Sequence, residues 1–407
     1  MNRPKMCDVG QKCCLLLCLL CGCVQGLKAG DEDFRPDSGY KEWVRQLDEG
    51  LSVLLQDELF TATQVGMCVY DLTSDTLLYA RNIRQRMRPA STEKLLTAIV
   101  ALSELGESHC FTTSLFCTGE VRDSVLWGDV YAVGGFDPRF GKDDMAAFVE
   151  SLREQGIDSI AGHLFADVSM KDTLKWGWGW CWDDDMPVLT PLLYHGKDCF
   201  MERMGEMLHE AGIGYVSVGR ECCPAGARLL VSRSHTMVQI LTRMMKDSDN
   251  LYAEAMFYQV AAKDRRPYAS RKDAMYHIEK LVGEMGYDVE NYLIADGSGV
   301  SLYNYLTPEL ELALLKYAYR HENIFIPLYA SLPVAGKDGT LRRRMKKGDA
   351  CGNVHAKTGT LEGVSTLAGY AKARNGHRLA FCIMNQGISR AAFGRDFQDK
   401  VCELLCK

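Results

Sequence analysis

Long basic runs, internal repeats and membrane-length apolar segments are all missing from this chain. Its 47 Lys and Arg are outnumbered by 53 Asp and Glu, for a formal net charge of −6. With neither a basic run nor a positive balance, nothing supports binding to nucleic acid. Outside the first 23 residues no CxxC pair occurs and no Cys/His cluster has zinc spacing, so neither a metal nor another cofactor is expected. The one strongly apolar run, "CCLLLCLLCGCV", has 12 residues. That is too short to span a bilayer.

What that run does resemble is an export leader. It follows "MNRPKMCDVGQK", which carries Arg3, Lys5 and Lys12, and it precedes the polar "KAGDEDFRPDSG". A basic flank, a short apolar centre and a polar exit mark residues 1–26 as a signal peptide or lipoprotein leader. Two processing routes fit. Val24-Gln25-Gly26 can precede a signal-peptidase cut, whereas Leu20-Cys21-Gly22-Cys23 reads as a lipobox with Cys23 as the lipidated residue. The protein is therefore expected to be exported, to the periplasm or cell envelope, and to meet a membrane only through a lipid anchor at Cys23. Six of the 17 cysteines lie in this leader. Of the rest, Cys68 in "VGMCVYDL" and Cys382 in "RLAFCIMNQ" sit in strand-like runs and read as buried free thiols. Cys222-Cys223 and Cys181 or Cys199 are the candidates for the disulfides an exported protein can form.

The 407 residues are enough for two or three domains, and 47% hydrophobic with 25% charged residues is ordinary for a globular chain. Residues 40–60 have helical periodicity. Two strand-like runs follow, "QVGMCVYDL" and "TLLYARNI", joined by a "TSD" turn, and then an apolar helix to about Leu105. Between 112 and 224 the texture becomes rich in Gly, Asp and Trp, with short strand-like pieces; its "WGWGWCWDDD" reads as a packing cluster in a loop. Helical texture returns at "HTMVQILTRMMKDSDNLYAEAMFYQVAAK". The C-terminal part reads as strands with Asn375-Gly376 as a hairpin turn, and then a final helix. Strands at both ends with helices between them predict one α/β domain, residues 31–111 and 225–407, whose sheet uses both termini. Residues 112–224 would be a β-rich domain inserted into it.

Chemistry is signalled by three short motifs. Ser-x-x-Lys alone is weak, since about one or two are expected by chance in 400 residues. This chain has Ser38-Gly-Tyr-Lys41, in a polar stretch that reads as disordered, and Ser91-Thr-Glu-Lys94, at the head of "RPASTEKLLTAIVAL". On a helix, positions three apart share a face, so Lys94 can reach back to the Ser91 hydroxyl. Taken alone, Ser91 is a helix cap beside a solvated lysine. Ser248-Asp249-Asn250 is the one Ser-x-Asn in the chain, and by itself reads as a cap or turn. Lys357-Thr358-Gly359 is the one Lys-Thr-Gly, a tripeptide expected roughly 0.1 times by chance. S-x-x-K, S-D-N and K-T-G in this order are together the signature of penicillin-binding proteins and class A β-lactamases.

On these motifs and the blocks around them, the chain resembles a closer family. From about Leu47 to the C-terminus it is similar to the D-alanyl-D-alanine carboxypeptidase/endopeptidases of penicillin-binding protein 4 type, the class C low-molecular-mass group. "RPASTEK", "VGGFDPRF", "DSDNLYAEAM", "ADGSGVSLYNYLTP", "SLPVAGKDGTL" and "HAKTGTLEGVSTLAGYA" carry the resemblance. Where that family reads "DGSGLSR", this chain reads "DGSGVSLYN", without the arginine. The 157 residues from Ser91 to Ser248 leave room for an insertion that class A β-lactamases lack.

The resemblance implies a serine DD-peptidase/β-lactamase-like α/β fold, an antiparallel sheet flanked by helices. It also implies a mechanism. Ser91 attacks the carbonyl between two terminal D-alanines of a peptidoglycan stem peptide and expels D-alanine, and water then releases the acyl group. Lys94 serves as the base only when neutral, a state favoured by burial and by a second cation, Lys357. Ser248 would relay a proton to the departing amine and Asn250 would hold a substrate amide. Lys357, Thr358 and Thr360 would face the terminal carboxylate, with Gly359 letting the substrate backbone approach. The oxyanion donors would be the backbone N–H groups of Ser91 and Thr360. β-Lactams should acylate the same serine. Class A β-lactamases deacylate with a glutamate and a downstream Leu-Asn pair, and this chain has no Leu-Asn dipeptide, so slow release of penicillin is expected. Asp296 and Ser298 read as a supporting loop, and His355 as a neighbour that faces away. The competing readings are a β-lactamase or esterase on the same fold, and a non-catalytic peptidoglycan-binding protein.

Overall fold

The computed structural model describes residues 37–182, 186–264 and 266–407. The leader, Cys23 and the aspartates that end the Trp-rich stretch lie outside the described residues. By contacts the chain divides into Met1–Val44 and Arg45–Lys407. The described part of the first unit opens helix α1 (Ser38–Leu54). Ser38 and Lys41 thus start a helix, where the sequence reads as disordered. The second unit holds everything that follows.

Its main sheet joins the two ends of the chain, in the order β11-β12-β13-β1-β2, with every neighbouring pair antiparallel. Strands β1 (Gln64–Asp71) and β2 (Thr76–Arg81) come from the N-terminal part. Strands β11 (His355–Leu361), β12 (Val364–Lys372) and β13 (Arg378–Gln386) come from the C-terminal part. Asn375-Gly376 turns β12 into β13, with Gly376 at φ 94°, the left-handed value such a turn requires. β12 and β13 are buried along nearly their whole length, which marks strands covered on both faces. Helix α8 (Pro308–Arg320) packs on β13 and β1, and helix α10 (Ala391–Cys406) packs on β12.

Helix α2 (Lys94–Leu105) runs through the main core. All residues from Lys94 to Leu102 are buried, the pattern of a helix with no solvent face. Helix α6 (Asn250–Ala261) is equally enclosed and packs against it. Four further helices, α5 (Met237–Lys246), α7 (Arg271–Glu284), α8 and α9 (Glu322–Ser331), complete this core.

A second core lies wholly between Leu115 and Val231. Strands β3 (Cys110–Cys117), β6 (Val130–Val133), β8 (Leu164–Asp167), β9 (Val218–Arg220) and β10 (Arg228–Thr236) form its sheet, in the order β10-β3-β6-β8-β9. β4 (Glu120–Arg122), β5 (Val125–Trp127) and β7 (Ser159–Ile160) form a smaller one. This part also carries helices α3 (Lys142–Glu154) and α4 (Phe200–Glu210). The parallel pairing of β6 with β8 requires a crossover, which α3 supplies. The sheet continues past residue 224 into β10. Phe140, Phe148 and Phe200 meet at ring distances of 5.0–6.2 Å at its centre.

Among the described residues Cys199, Cys222 and Cys223 carry free thiols, so the disulfides considered for them are absent from the structure. Cys68 and Cys382 are buried opposite one another across β1 and β13, as their apolar strands predict. An impermeant thiol reagent should modify the exposed Cys110 and Cys222 in the native protein within minutes. Cys68, Cys382 and the buried Cys402 should react only as fast as the fold opens, measured by peptide mass spectrometry.

Candidate active site

Ser91 lies in a single 3-10 turn, Ala90–Glu93, that leads straight into α2. Ala90 has φ 49°, a strained left-handed value for a residue with a side chain, and one found preferentially at functional sites. Two anchors hold the turn. Pro89 O accepts from Thr92 Oγ1 and from Thr366 Oγ1 on β12, both at 2.7 Å, and Thr92 Oγ1 lies 2.6 Å from Glu311 Oε1. Ser91 makes no capping bond. Its Oγ lies 2.9 Å from Lys94 Nζ instead.

Lys94 Nζ has two other partners, Asn250 Oδ1 at 2.8 Å and Ser298 O at 2.6 Å. Both can only accept. A neutral amine carries two N–H bonds and one lone pair, so those two acceptors take the hydrogens and the lone pair is left facing Ser91. Asn250 Nδ2 points to Met186 Sδ, 3.8 Å away, which orients the amide with its oxygen on the lysine. Burial lowers Lys94 from 10.5 to about 8, against the pull of Asp296, Glu254, Glu93 and Asp249, which favour the charged form.

Ser248 and Lys357 form a second pair. Ser248 sits between α5 and α6 with φ 60°, while its neighbour Asp249 caps α6 by accepting from Tyr252 N. Ser248 is therefore spared the capping role. Its Oγ accepts from Lys357 Nζ at 2.7 Å, and the same Nζ bonds Thr358 O at 2.7 Å. Lys357 is held well below its ordinary value by burial first and by the Lys94 charge second. The repulsion between the two ammonium groups is mutual and disfavours charging both at once, and burial is the first cause of the low value of each.

Strand β11 brings the third motif to the same place. It is the edge strand of the main sheet. Ala356 N–H donates to Pro333 O at 3.0 Å, on the side away from β12. Strand amides alternate, so Thr358 and Thr360 direct their N–H groups the same way, outward from the sheet. Gly359 is also required by packing. A Cβ built there would lie 2.1 Å from Thr366 Oγ1, 2.7 Å from Pro89 O and 2.9 Å from Ser91 N. The missing side chain makes room for the Ser91 turn. It lets β11 run against the turn and brings the Thr360 amide toward that of Ser91.

The eight residues Ser91, Lys94, Ser248, Asn250, Lys357, Thr358, Gly359 and Thr360 converge. Ser91, Ser248, Thr358 and Thr360 line a cleft of about 570 Å³, and Lys94 and Lys357 are buried beneath it. Thr358 Oγ1 also bonds Thr340 Oγ1 at 2.8 Å, on the same wall. His355 stacks on Tyr329 at 4.1 Å and takes no part; burial lowers it to about 4.

The loop after α7 supports Lys94. Asp296 accepts from Trp180 Nε1, Gly299 N, Ser301 N and Asn304 Nδ2 at 2.7–2.8 Å. This carboxylate shapes the loop so that Ser298 O faces the lysine, and it ties the Trp-rich stretch to the site through Trp180. Asp296→Asn would set an amide N–H against backbone and side-chain donors. We expect it to cost about 2–4 kcal/mol of stability, measured by denaturant unfolding, and to slow acylation.

Two features have only faint signals in the sequence. Around Lys94 lies a set of buried carboxyls, Glu93, Glu254 and Asp296. Burial holds Glu93 well above its ordinary value and pushes Glu254 up to about 8. A glutamate inside the apolar run "NLYAEAMFYQ" is the one sequence sign of Glu254. The second feature is a set of arginines, Arg342, Arg343, Arg344 and Arg395, on the wall of the cleft. Their sign is the short run "RRRMKK".

Known proteins are similar to this chain in sequence and in fold. The chain is 24% identical to the D-alanyl-D-alanine carboxypeptidase DacB of Haemophilus influenzae, covering 82% of this chain and 88% of that one. It is 25% identical to a D-alanyl-D-alanine carboxypeptidase of Actinomadura sp., over 86% and 82% of the two chains. Its fold matches the crystal structure of penicillin binding protein 4 from H. influenzae with a TM-score of 0.79 at 22% identity, covering 87% of this chain and 97% of that one. It also matches a penicillin G-acylated predatory endopeptidase of Bdellovibrio bacteriovorus, with a TM-score of 0.54 at 18% identity over 84% and 93% of the chains. The profile of the D-Ala-D-Ala carboxypeptidase 3 (S13) family matches residues 47–192 and 195–407; that span holds all three motifs and both cores, and the chain belongs to this family.

Proposed function

We propose that this S13 peptidase is an exported serine-type D-Ala-D-Ala carboxypeptidase acting on peptidoglycan stem peptides in the cell envelope, with DD-endopeptidase activity as a second capacity. The observation that carries the reading is the pair of acceptor-only partners on Lys94, which reserves its lone pair for Ser91. The catalytic part comprises residues up to 109 and 237–407, and the inserted part 110–236, wider than the expected 112–224 because its sheet runs from β3 to β10. Periplasmic release or a lipid anchor at Cys23 follows from the processing route.

In the proposed course, Ser91 Oγ gives its proton to Lys94 and bonds the carbonyl carbon between the two D-alanines. The oxyanion is met by the N–H groups of Ser91 and Thr360. As the C–N bond breaks, Ser248 donates a proton to the departing nitrogen and recovers one from Lys357. Asn250 holds an amide of the acyl part. Thr358, Thr360 and the Lys357 charge receive the terminal carboxylate. Water completes the cycle: its hydroxyl bonds the acyl carbon, its proton goes to Ser91 Oγ, and the proton left on Lys94 passes back to Lys357, which resets both lysines.

β-Lactams enter the same cleft and acylate Ser91. Release of free D-alanine from a stem peptide, combined with covalent labelling by fluorescent penicillin, tests the reading. Fast, sustained nitrocefin hydrolysis without D-alanine release would replace it with a β-lactamase. Failure of both labelling and release would leave a binding protein.

A further inference from the structure

The arginines of the cleft fall into two kinds. Arg344 is half-buried and structural: its guanidinium bonds Asp399 Oδ1 at 2.6 and 2.8 Å, Gln398 Oε1 at 3.1 Å and Arg395 O at 3.2 Å. Arg342, Arg343 and Arg395 are exposed. Among the described residues none of their guanidiniums has a carboxylate partner, although Arg344 is paired right beside them. Three uncompensated cations on the wall of one 570 Å³ cleft attract anions and repel one another. Nothing in the fold uses them.

Their place identifies what they meet. The departing nitrogen lies at Ser248, and Ser248 and Thr358 share a wall with the 333–344 segment. Lys246, two residues before Ser248, bonds Leu332 O at 2.6 Å and Asp338 Oδ2 at 2.7 Å. Thr358 bonds Thr340, and Arg342 follows two residues later. Arg395 closes the arc from the first turns of α10, held there by Arg344. The arc therefore lines one cleft with Ser248 and Thr358, the residues assigned above to the departing nitrogen and the terminal carboxylate.

A D-alanine leaving group has one carboxylate, and Lys357, Thr358 and Thr360 already receive it. We propose that Arg342, Arg343 and Arg395 form a second anion subsite, selecting leaving groups that carry an additional carboxylate beyond the one next to the scissile nitrogen. Rigid guanidinium forks suit bidentate carboxylate recognition better than lysines would. Peptides released from a cross-link by an endopeptidase fit this class, because the released part keeps several free carboxylates. The inference rests on the serine-peptidase reading above.

The test uses two peptides with the same acyl part, one ending in D-Ala-D-Ala and the other in D-Ala-D-Glu. The full-length protein should cleave the D-Glu peptide with the higher kcat/KM. Arg342→Gln/Arg343→Gln should lower kcat/KM on the D-Glu peptide about tenfold and on the D-Ala peptide no more than about twofold. Arg342→Lys/Arg343→Lys should restore part of the loss, and 0.5 M salt should narrow the preference in the unaltered protein. An equal fall on both peptides would reduce the arginines to general steering and overturn the subsite, as would no change on either. If the unaltered protein cleaves neither peptide, the serine-peptidase reading fails and the subsite fails with it.

Discussion

Replacing Ser91 with alanine is expected to lower D-alanine release by at least about 10³–10⁴-fold and to abolish covalent penicillin binding. The change removes a hydroxyl whose hydrogen bond is to Lys94. The Pro89 and Thr92 anchors of the turn stay in place, so unfolding of the variant should match the unaltered protein. Binding of the intact stem peptide should also survive, because Asn250, Thr358 and Thr360 are untouched. A loss in kcat with binding retained is the signature of a missing nucleophile. A variant that still turned over would hand that role to Ser248, the other serine of the cleft.

The second large effect concerns Lys94 and its protonation. With Lys94 at about 8, roughly one molecule in ten has the neutral base at pH 7. Because the base acts deprotonated, kcat/KM for acylation should rise about tenfold per pH unit on the acid side and level off above pH about 8. The sign is opposite to that of a general acid, whose rate would fall with rising pH. Lys94→Met keeps the chain length and removes the base. It should cost about 10²–10⁴ in kcat/KM and leave the residual rate without that rise. Pre-steady-state acylation by a chromogenic β-lactam from pH 5.5 to 9.5 measures both. A profile that rises in the same way in Lys94→Met would assign the base elsewhere.

Much of the site was legible in the sequence because its chemistry is carried by local words. Ser91-x-x-Lys94 puts a base one helical turn from a hydroxyl, and Lys357-Thr358-Gly359 puts a cation on a strand. The sheet joining the two termini was also legible, since alternating and fully apolar runs such as "RLAFCIMNQ" mark strands whatever their partners. Other features depend on tertiary placement. The need for glycine at 359 arises from Thr366 and the Ser91 turn, neither adjacent to it in sequence. The electrostatics of Lys94 are set by burial against Glu254 and Asp296, which belong to separate elements. Helices α3 and α4 lie in the segment expected to be β-rich, where short strand-like pieces mask amphipathic runs such as "DDMAAFVESLREQ". Arg344 and Arg343 look alike in "RRRMKK", yet one is tied to Asp399 and the other faces the cleft.

The backbone strain in the site fits this picture. Ala90 and Ser248, each beside or within a motif, both adopt left-handed conformations that cost of order 1–3 kcal/mol apiece. Gly299 lies against Ala90, where a Cβ would come within 1.9 Å of its carbonyl oxygen. The fold meets this cost to aim two hydroxyls, Ser91 at Lys94 and Ser248 at Lys357, across one cleft.

The account stands most directly on which atom becomes acylated. Mass spectrometry of the intact protein after exposure to benzylpenicillin, followed by peptide mapping, reads this in one experiment. One adduct per chain, confined to the peptide containing Ser91 and persisting for longer than a catalytic turnover, is the predicted result. An adduct on the Ser248 peptide, or no adduct in a protein that still releases D-alanine, would contradict it.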